Sequence, residues 1–443
     1  MKDEGLLIRG GTLLPLTERA RFFAGDVRLA GNRIAEVGEQ LSPRPGEVVL
    51  DARDCYVLPG FVQTHVHVVQ SLARHRADGL ELLDWLTRRI WPYEAALEWD
   101  DVAAAAQLGV TELLTGGTTS ALDMGTTHSQ DAVFQAAQQL GIRFISGKCH
   151  MDDGLGAPER LREETGTSLA EAEALGRRWH GAGGGRLRYA VAPRFALSCT
   201  PALLEGAVAL ARRHGWLLHT HASENHRETE LVRQRTGTGN VSYLSRFGIR
   251  GHDTVLAHCI HLDADEYPLL AAEGTGVAHC PGANLKLASG IADLPRLLAA
   301  GIRVGLGADG PPCNNRLSIF HEMALAGTLH NLRHGATAID PWTVLELATW
   351  RAAQVIGLEQ VGRLAPGWLA DIVVLGRDAW AMEPGGDPAA AIVFGGGPEA
   401  VRHVIVDGQV VVRERVLLTG DAGDIRHRAR ASAQRVAAKL GWL

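Results

Sequence analysis

The apolar residues of this chain arrive in short runs, and the rhythm between them changes twice. Up to about residue 57 the runs LLIRGGTLLP, DVRLAGNRIAEVG and VVLDARDCYVLPG read as β segments. Gly10-Gly11, Gly31-Asn32 and the stretch 43–46 read as turns between them. From about residue 58, β-rich runs alternate with alanine- and leucine-rich helical stretches such as DDVAAAAQLGVTELLTGG and PALLEGAVALARRHG. Eight such runs lie near 56–67, 119–124, 143–149, 186–194, 216–223, 254–260, 275–282 and 303–310. Beyond about residue 360 the β pattern returns in ADIVVLG and HVIVDGQVVVRERVLL, with Asp407-Gly408 as a hairpin turn. The last stretch, DIRHRARASAQRVAAKLGWL, has amphipathic helical spacing.

Eight βα units predict an α/β chain with a (β/α)8 TIM-like barrel. A doubly wound open sheet is the structural alternative. It normally carries a glycine-rich phosphate turn after its first strand, where this chain has His65 and His67. The expected organisation is therefore a barrel over 58–360. Residues 1–57 and 361–443 join as a small β-sandwich with a C-terminal helix.

The length of 443 residues suits one large domain plus a smaller one. Apolar content of 46% and charged content of 21% are those of an ordinary globular protein. A net charge of −6 gives no basic footprint for nucleic acid. No apolar run is long enough to span a bilayer, and MKDEGLLIRGG is a poor signal peptide, so no membrane partner and a cytoplasmic location are expected. Six scattered cysteines without a CxxC pair read as reduced, buried thiols.

Metal-capable residues recur at the C-terminal ends of the predicted strands: His65 and His67, His219 and His221, His258, His279 and Asp309. In a parallel barrel those ends converge on one face, where active sites form. Residues two apart on a strand point the same way, so His65 and His67 can face one ion. Three imidazoles and one carboxylate suit zinc with a position left for water. The remaining histidines, such as His75, His128 and His330, read as hydrogen-bonded structural residues.

The segments PGFVQTHVH, HTHASEN, LAHCIH, AHCPGANLKLASG and GLGADG, in this order, resemble the signature segments of the amidohydrolase superfamily. They are most similar to its mononuclear deaminase and chlorohydrolase branch, and the likeness covers nearly the whole chain. The resemblance implies one zinc ion per chain held by His65, His67, His221 and Asp309. The same donors also admit Fe2+ or Mn2+. It implies Glu224 as the proton-shuttling acid, Asp309 as a further catalytic group, and His258 as the residue that polarises substrate or supports the attacking water. A bridging lysine, present in binuclear branches, is missing from YAVAPRF after the fourth strand. A homodimer or higher homo-oligomer is common among enzymes of this resemblance. The zinc deaminases of flipped nucleobases form a separate class marked by HxE and PCxxC, and Pro312-Cys313 followed by Asn314 lacks that signature.

The substrate implied is a small nitrogen heterocycle that loses its amino group as ammonia. Gln70, Arg194 and Phe195 resemble the residues with which guanine deaminase holds and stacks its purine. Glu94 and the ADGPPCNNRLSIFHEMALA segment resemble adenosine-type deaminases, where the glutamate contacts ribose hydroxyls. The reading leans to an adenine nucleoside such as 5′-deoxyadenosine, methylthioadenosine or S-adenosylhomocysteine. Guanine, s-triazines and pterins stand as alternatives. A metal-free scaffold would show gaps in the ligand set, and a ring-opening hydrolase more often needs two metals and a bridging lysine.

Overall fold

A computed structural model describes residues 5–154 and 156–442. Eight parallel strands curl into the barrel: β1 (Phe61–Val66), β2 (Thr118–Asp123), β3 (Arg143–Ser146), β4 (Leu187–Pro193), β5 (Leu217–Ala222), β6 (Thr254–His258), β7 (Gly276–His279) and β8 (Arg303–Leu306). Helices cover the outside, so both strand faces are buried and the strands read as near-continuous apolar runs. The ring closes where Val66 pairs in parallel with Asp309. There the Asp309 N–H donates to the His65 carbonyl at 3.0 Å. Each of the eight strands coincides with one of the eight runs expected from the sequence, β2 starting one residue before its run.

The helices between strands carry their own stop and start signals. In Pro201–His214, proline occupies the first turn, the Thr200 hydroxyl accepts from the Leu203 N–H, and Gly215 ends the helix at φ +65°. In His226–Thr236, Asn225 and Glu228 form a capping box and Gly237 ends the helix.

The run near 56–67 serves two sheets. Cys55–Pro59 pairs with Leu6–Leu13 and Ile372–Gly376, whereas Phe61 onward belongs to the barrel. Gly60 makes the transition, and a Cβ there would lie 2.2 Å from the Thr119 side chain. The two ends of the chain meet in one mixed nine-stranded sheet, as expected. Its order is Val416–Leu417, Gln409–Arg413, Val401–Val406, Ile372–Gly376, Cys55–Pro59, Leu6–Leu13, Phe23–Ala30 and Arg33–Gly38, with Val48–Asp51 paired onto Leu6–Leu13. Leu6, Ile8, Val27, Val57, Ile372 and Ile405 close its own apolar core.

The Asp407-Gly408 turn forms as expected, with φ of 52° and 78°. The expected turn at Gly10-Gly11 does not. Both glycines lie inside the strand Leu6–Leu13, where the register slips between Ile8 and Gly11 and Gly10 adopts φ +80°. A bulge uses the positive φ that the glycine permits, so the signal was right about conformation and wrong about chain reversal.

The terminal helix, Ala422–Lys439, packs on Trp99–Thr115 and is pinned by Arg435 to Asp101 at 2.8 Å. All six cysteines are buried and free. No helix among the described residues is long and apolar enough to cross a membrane.

Candidate active site

The donor cluster forms where β1, β5 and β8 end. One ligand atom from each of His65, His67, His221 and Asp309 lies within 4.8 Å of the others. The His65 Nε2 stands 3.3 Å and the His67 Nε2 3.5 Å from Asp309 Oδ1. The His67 and His221 Nε2 atoms face each other at 3.2 Å. Outer partners turn these rings inward. The His221 Nδ1–H donates to the Arg194 carbonyl at 2.8 Å, which leaves Nε2 free as a ligand atom. His219, two residues before His221, supports rather than joins the cluster: its Nε2 lies 2.8 Å from His65 Nδ1, and its own Nδ1 donates to the Val255 carbonyl at 3.1 Å.

These residues suit a divalent metal ion. The His65 Nε2 is buried and without a hydrogen-bond partner among the described residues. Burial, reinforced by neighbouring imidazoles, holds His67 and His221 well below the usual histidine range, so both are neutral as ligands must be. For Asp309, burial pushes upward, but the imidazoles packed around it, His65 foremost, outweigh it and hold the carboxyl well below its usual range.

Glu224 and His258 stand beside this cluster. The Glu224 Oε2 is 3.4 Å from His258 Nε2, and Asp309 Oδ2 is 3.9 Å from the same nitrogen. Burial first, then the charges of Asp309 and Glu228, raise the Glu224 carboxyl well above its usual range. Glu224 is thus pushed towards its protonated form close to an Asp309 pushed towards its ionised one. Two neighbouring carboxyls driven apart in this way divide acid and base roles. Burial pushes His258 down to about 4, so its ring is neutral. Left-handed backbone places these groups: Ser223, His258, Cys259 and Asp309 all have positive φ without being glycine. Such conformations persist where the surroundings over-determine them.

Opposite the donors lies a cavity lined by Gln70, Leu82, Trp85, Leu86, Arg194, Phe195 and Glu228 along with the site's own His67, His221, Glu224 and Asp309. Arg194 follows β4, and its guanidinium grips Glu94 with Nη1–Oε2 at 2.5 Å and Nη2–Oε1 at 3.2 Å. Gln70 Nε2 donates to the same carboxylate at 2.9 Å. Gln70, Arg194 and Phe195 therefore line the cavity together, whereas Glu94 sits behind them and its carboxylate is already engaged.

Every residue singled out from the sequence for this site falls at this face of the barrel, although His279 does not reach the donor cluster. Its ring packs against His330, with centroids 5.8 Å apart. Trp85 and Leu86 were not anticipated. They come from the segment Leu82–Ile90, whose second half is a π turn, and nothing in their local pattern says that it folds back over the barrel mouth. Glu228 was not anticipated either. Its carboxylate accepts from the Glu224 and Asn225 N–H groups at 2.8 and 3.2 Å, and the capping pattern N-x-x-E could have revealed it.

A parallel barrel with clustered histidines and an aspartate at its C-terminal mouth defines a class of metal-dependent hydrolases. The chain belongs to the amidohydrolase family, whose model matches residues 56–411. It is 36% identical over 437 residues to the 5-methylthioadenosine/S-adenosylhomocysteine deaminase of Desulforudis audaxviator, covering 97% of this chain and 99% of the relative. Among solved structures, it is similar to an adenosine deaminase from Xanthomonas campestris with bound zinc, with TM-score 0.92, 27% identity and 98% of each chain covered. It is also similar to the guanine deaminase of E. coli, with TM-score 0.85 and 29% identity over 93% of this chain and 100% of that one.

Proposed function

We propose that this protein is a zinc-dependent hydrolytic deaminase of an amino-substituted purine, with adenine nucleosides of the methylthioadenosine type as the leading substrates. The observation that carries this reading is the pairing of a four-donor cluster with a buried carboxyl, Glu224, beside it. His65, His67, His221 and Asp309 would hold the ion. When bound, zinc lowers the pKa of water to near 7 and supplies a strong nucleophile at neutral pH.

The chain's residues then manage the protons. Asp309 accepts one proton from the attacking water. As the new C–O bond forms, Glu224 gives its proton to the adjacent ring nitrogen. On collapse of the tetrahedral carbon, the hydroxyl proton returns to Glu224. The proton on Asp309 passes to the amino nitrogen, which leaves as ammonia. Water is consumed, one C–N bond breaks and one C–O bond forms. His258 presents Nε2 to the same reacting centre. Phe195 offers a face for the ring, and Gln70 and Arg194 offer polar contacts to its far edge.

The names of the relatives and the likeness of Glu94 support the nucleoside. A second reading, a free oxopurine base such as guanine, is favoured by one specific observation. The Glu94 carboxylate is taken up by Arg194 and Gln70, and so is not free for ribose hydroxyls. Arg194 also suits a carbonyl or ring-nitrogen acceptor. Ammonia release from the zinc-loaded protein should be measured with methylthioadenosine, S-adenosylhomocysteine, 5′-deoxyadenosine, adenosine, guanine, a pterin and melamine. The proposal expects release from an adenine nucleoside. Release from guanine alone would move the assignment to the second reading, and silence on every purine would overturn both.

A further inference from the structure

His258 is held from two sides. Its Nε2 faces Glu224, and its Nδ1 lies 2.8 Å from the Oδ1 of Asn284. Asn284 is buried and sits on the short helix Pro281–Lys286 that leaves β7. That helix is itself locked in place. The Gly282 N–H donates to Glu322 at 2.9 Å, and a Cβ on Gly282 would lie 2.6 Å from Glu322 Oε1 and 2.7 Å from Asn314 Nδ2. Asn314 in turn donates to the Ala308 carbonyl at 2.8 Å, beside Asp309. Downstream, the Ser289 N–H donates to the Asn284 carbonyl at 2.8 Å. On the other side, the Cys259 and Ile260 N–H groups donate to the carbonyls of Ala222 and Ser223, which fixes the backbone that carries the imidazole.

An amide oxygen accepts hydrogen bonds and cannot donate them. A bond from His258 to Oδ1 therefore requires the hydrogen on Nδ1. In a neutral imidazole that leaves a lone pair on Nε2, the nitrogen aimed at Glu224 and the reacting centre. We propose that Asn284 is a positioning residue that fixes the Nδ1–H form of His258, so that Nε2 faces the substrate side as a proton acceptor rather than a donor. The proposal rests on the deaminase reading for its consequence on turnover, but not for the tautomer itself. The logic is that of an acceptor behind a catalytic histidine, where the partner sets orientation and tautomer without touching substrate. A carboxylate in the same place would accept the same bond.

The test uses the metal-loaded full chain with 15N-labelled histidine, the His258 signals being assigned by their loss in His258→Gln. The wild type should show Nδ1 protonated and Nε2 bare. Asn284→Leu should lose that preference and lower kcat about 10-fold or more, with KM and metal content unchanged. Asn284→Asp should keep both the tautomer and most of the turnover. A wild-type ring with its hydrogen on Nε2 would overturn the proposal, whatever the substrate proves to be. So would Asn284→Asp being as impaired as Asn284→Leu, since the amide nitrogen would then be the group that faces His258. If Asn284→Leu fails to fold, the wild-type and Asn284→Asp spectra decide the matter on their own.

Discussion

The two walls of the active site are built on opposite electrostatic plans. On the donor wall, three imidazoles and Asp309 point their ligand atoms at one another, and His65 Nε2 has no hydrogen-bond partner among the described residues. The His67 and His221 Nε2 atoms, 3.2 Å apart, share one hydrogen in the protein alone and converge equally well on a cation. On the facing wall, Arg194 and Gln70 Nε2 both bond to the Glu94 carboxylate, and Gln70 Oε1 is left without a partner among the described residues. The first wall is completed by a ligand from outside the chain. The second bonds largely within itself, and a substrate edge must bond to what that network leaves over, Gln70 Oε1 included. Metal affinity should therefore be carried by one wall and substrate choice by the other, with little exchange between them.

That division can be broken in several places. The largest effect is expected from His221→Ala. Removing a ligand should weaken metal binding at least about 100-fold and abolish turnover, read by elemental analysis after dialysis. Arg194→Met should leave the metal content alone. It strands the Glu94 carboxylate in the interior, where an uncompensated buried charge costs about 3–5 kcal/mol, read by chemical denaturation. Arg194→Met should also raise KM, and adding Glu94→Gln to that variant should restore most of the stability while KM stays raised. Loss of metal from either variant would show that the walls are coupled.

A smaller effect is expected at the support behind the donor wall, where Glu322 accepts from Gly282 and Asn314. Burial raises Glu322 to about 7, against an ordinary value near 4.5. An acid whose folded pKa is raised stabilises the fold fully below the unfolded pKa. Its contribution is lost as pH climbs towards the folded one. Stability should thus fall between about pH 4.5 and 7 by up to about 3 kcal/mol from this group. Glu322→Gln should flatten that part of the profile in thermal melts, and an unchanged slope would remove Glu322 as its source.

The donor wall was legible in the sequence because strand periodicity does the positioning. His65 and His67, two residues apart, are brought to one face by alternation, and the end of each barrel strand is marked by the run that precedes it. The same rule set His219 and His221 side by side, but could not say which one reaches the ion and which one braces His65. The substrate wall was less legible. Gln70, Arg194 and Phe195 were found by likeness, yet the ion pair between Arg194 and Glu94 spans 100 residues and depends on how two loops meet. Trp85 and Leu86 reach the cavity through the path of an irregular segment, which no periodicity encodes. The same limit hid the split of the first run at Gly60 and turned the Gly10-Gly11 signal into a bulge.

The central claim is that a protonated carboxyl opposite the donor cluster drives deamination without helping to bind the ion. Glu224→Gln tests it most directly, with ammonia release measured at saturating substrate and at metal occupancy matched to the wild type. The account predicts one ion per chain in both proteins and a kcat about 10²–10⁴-fold lower in the variant, the range for losing a general acid–base group. A Glu224→Gln protein that keeps its metal and turns over at the wild-type rate would contradict it.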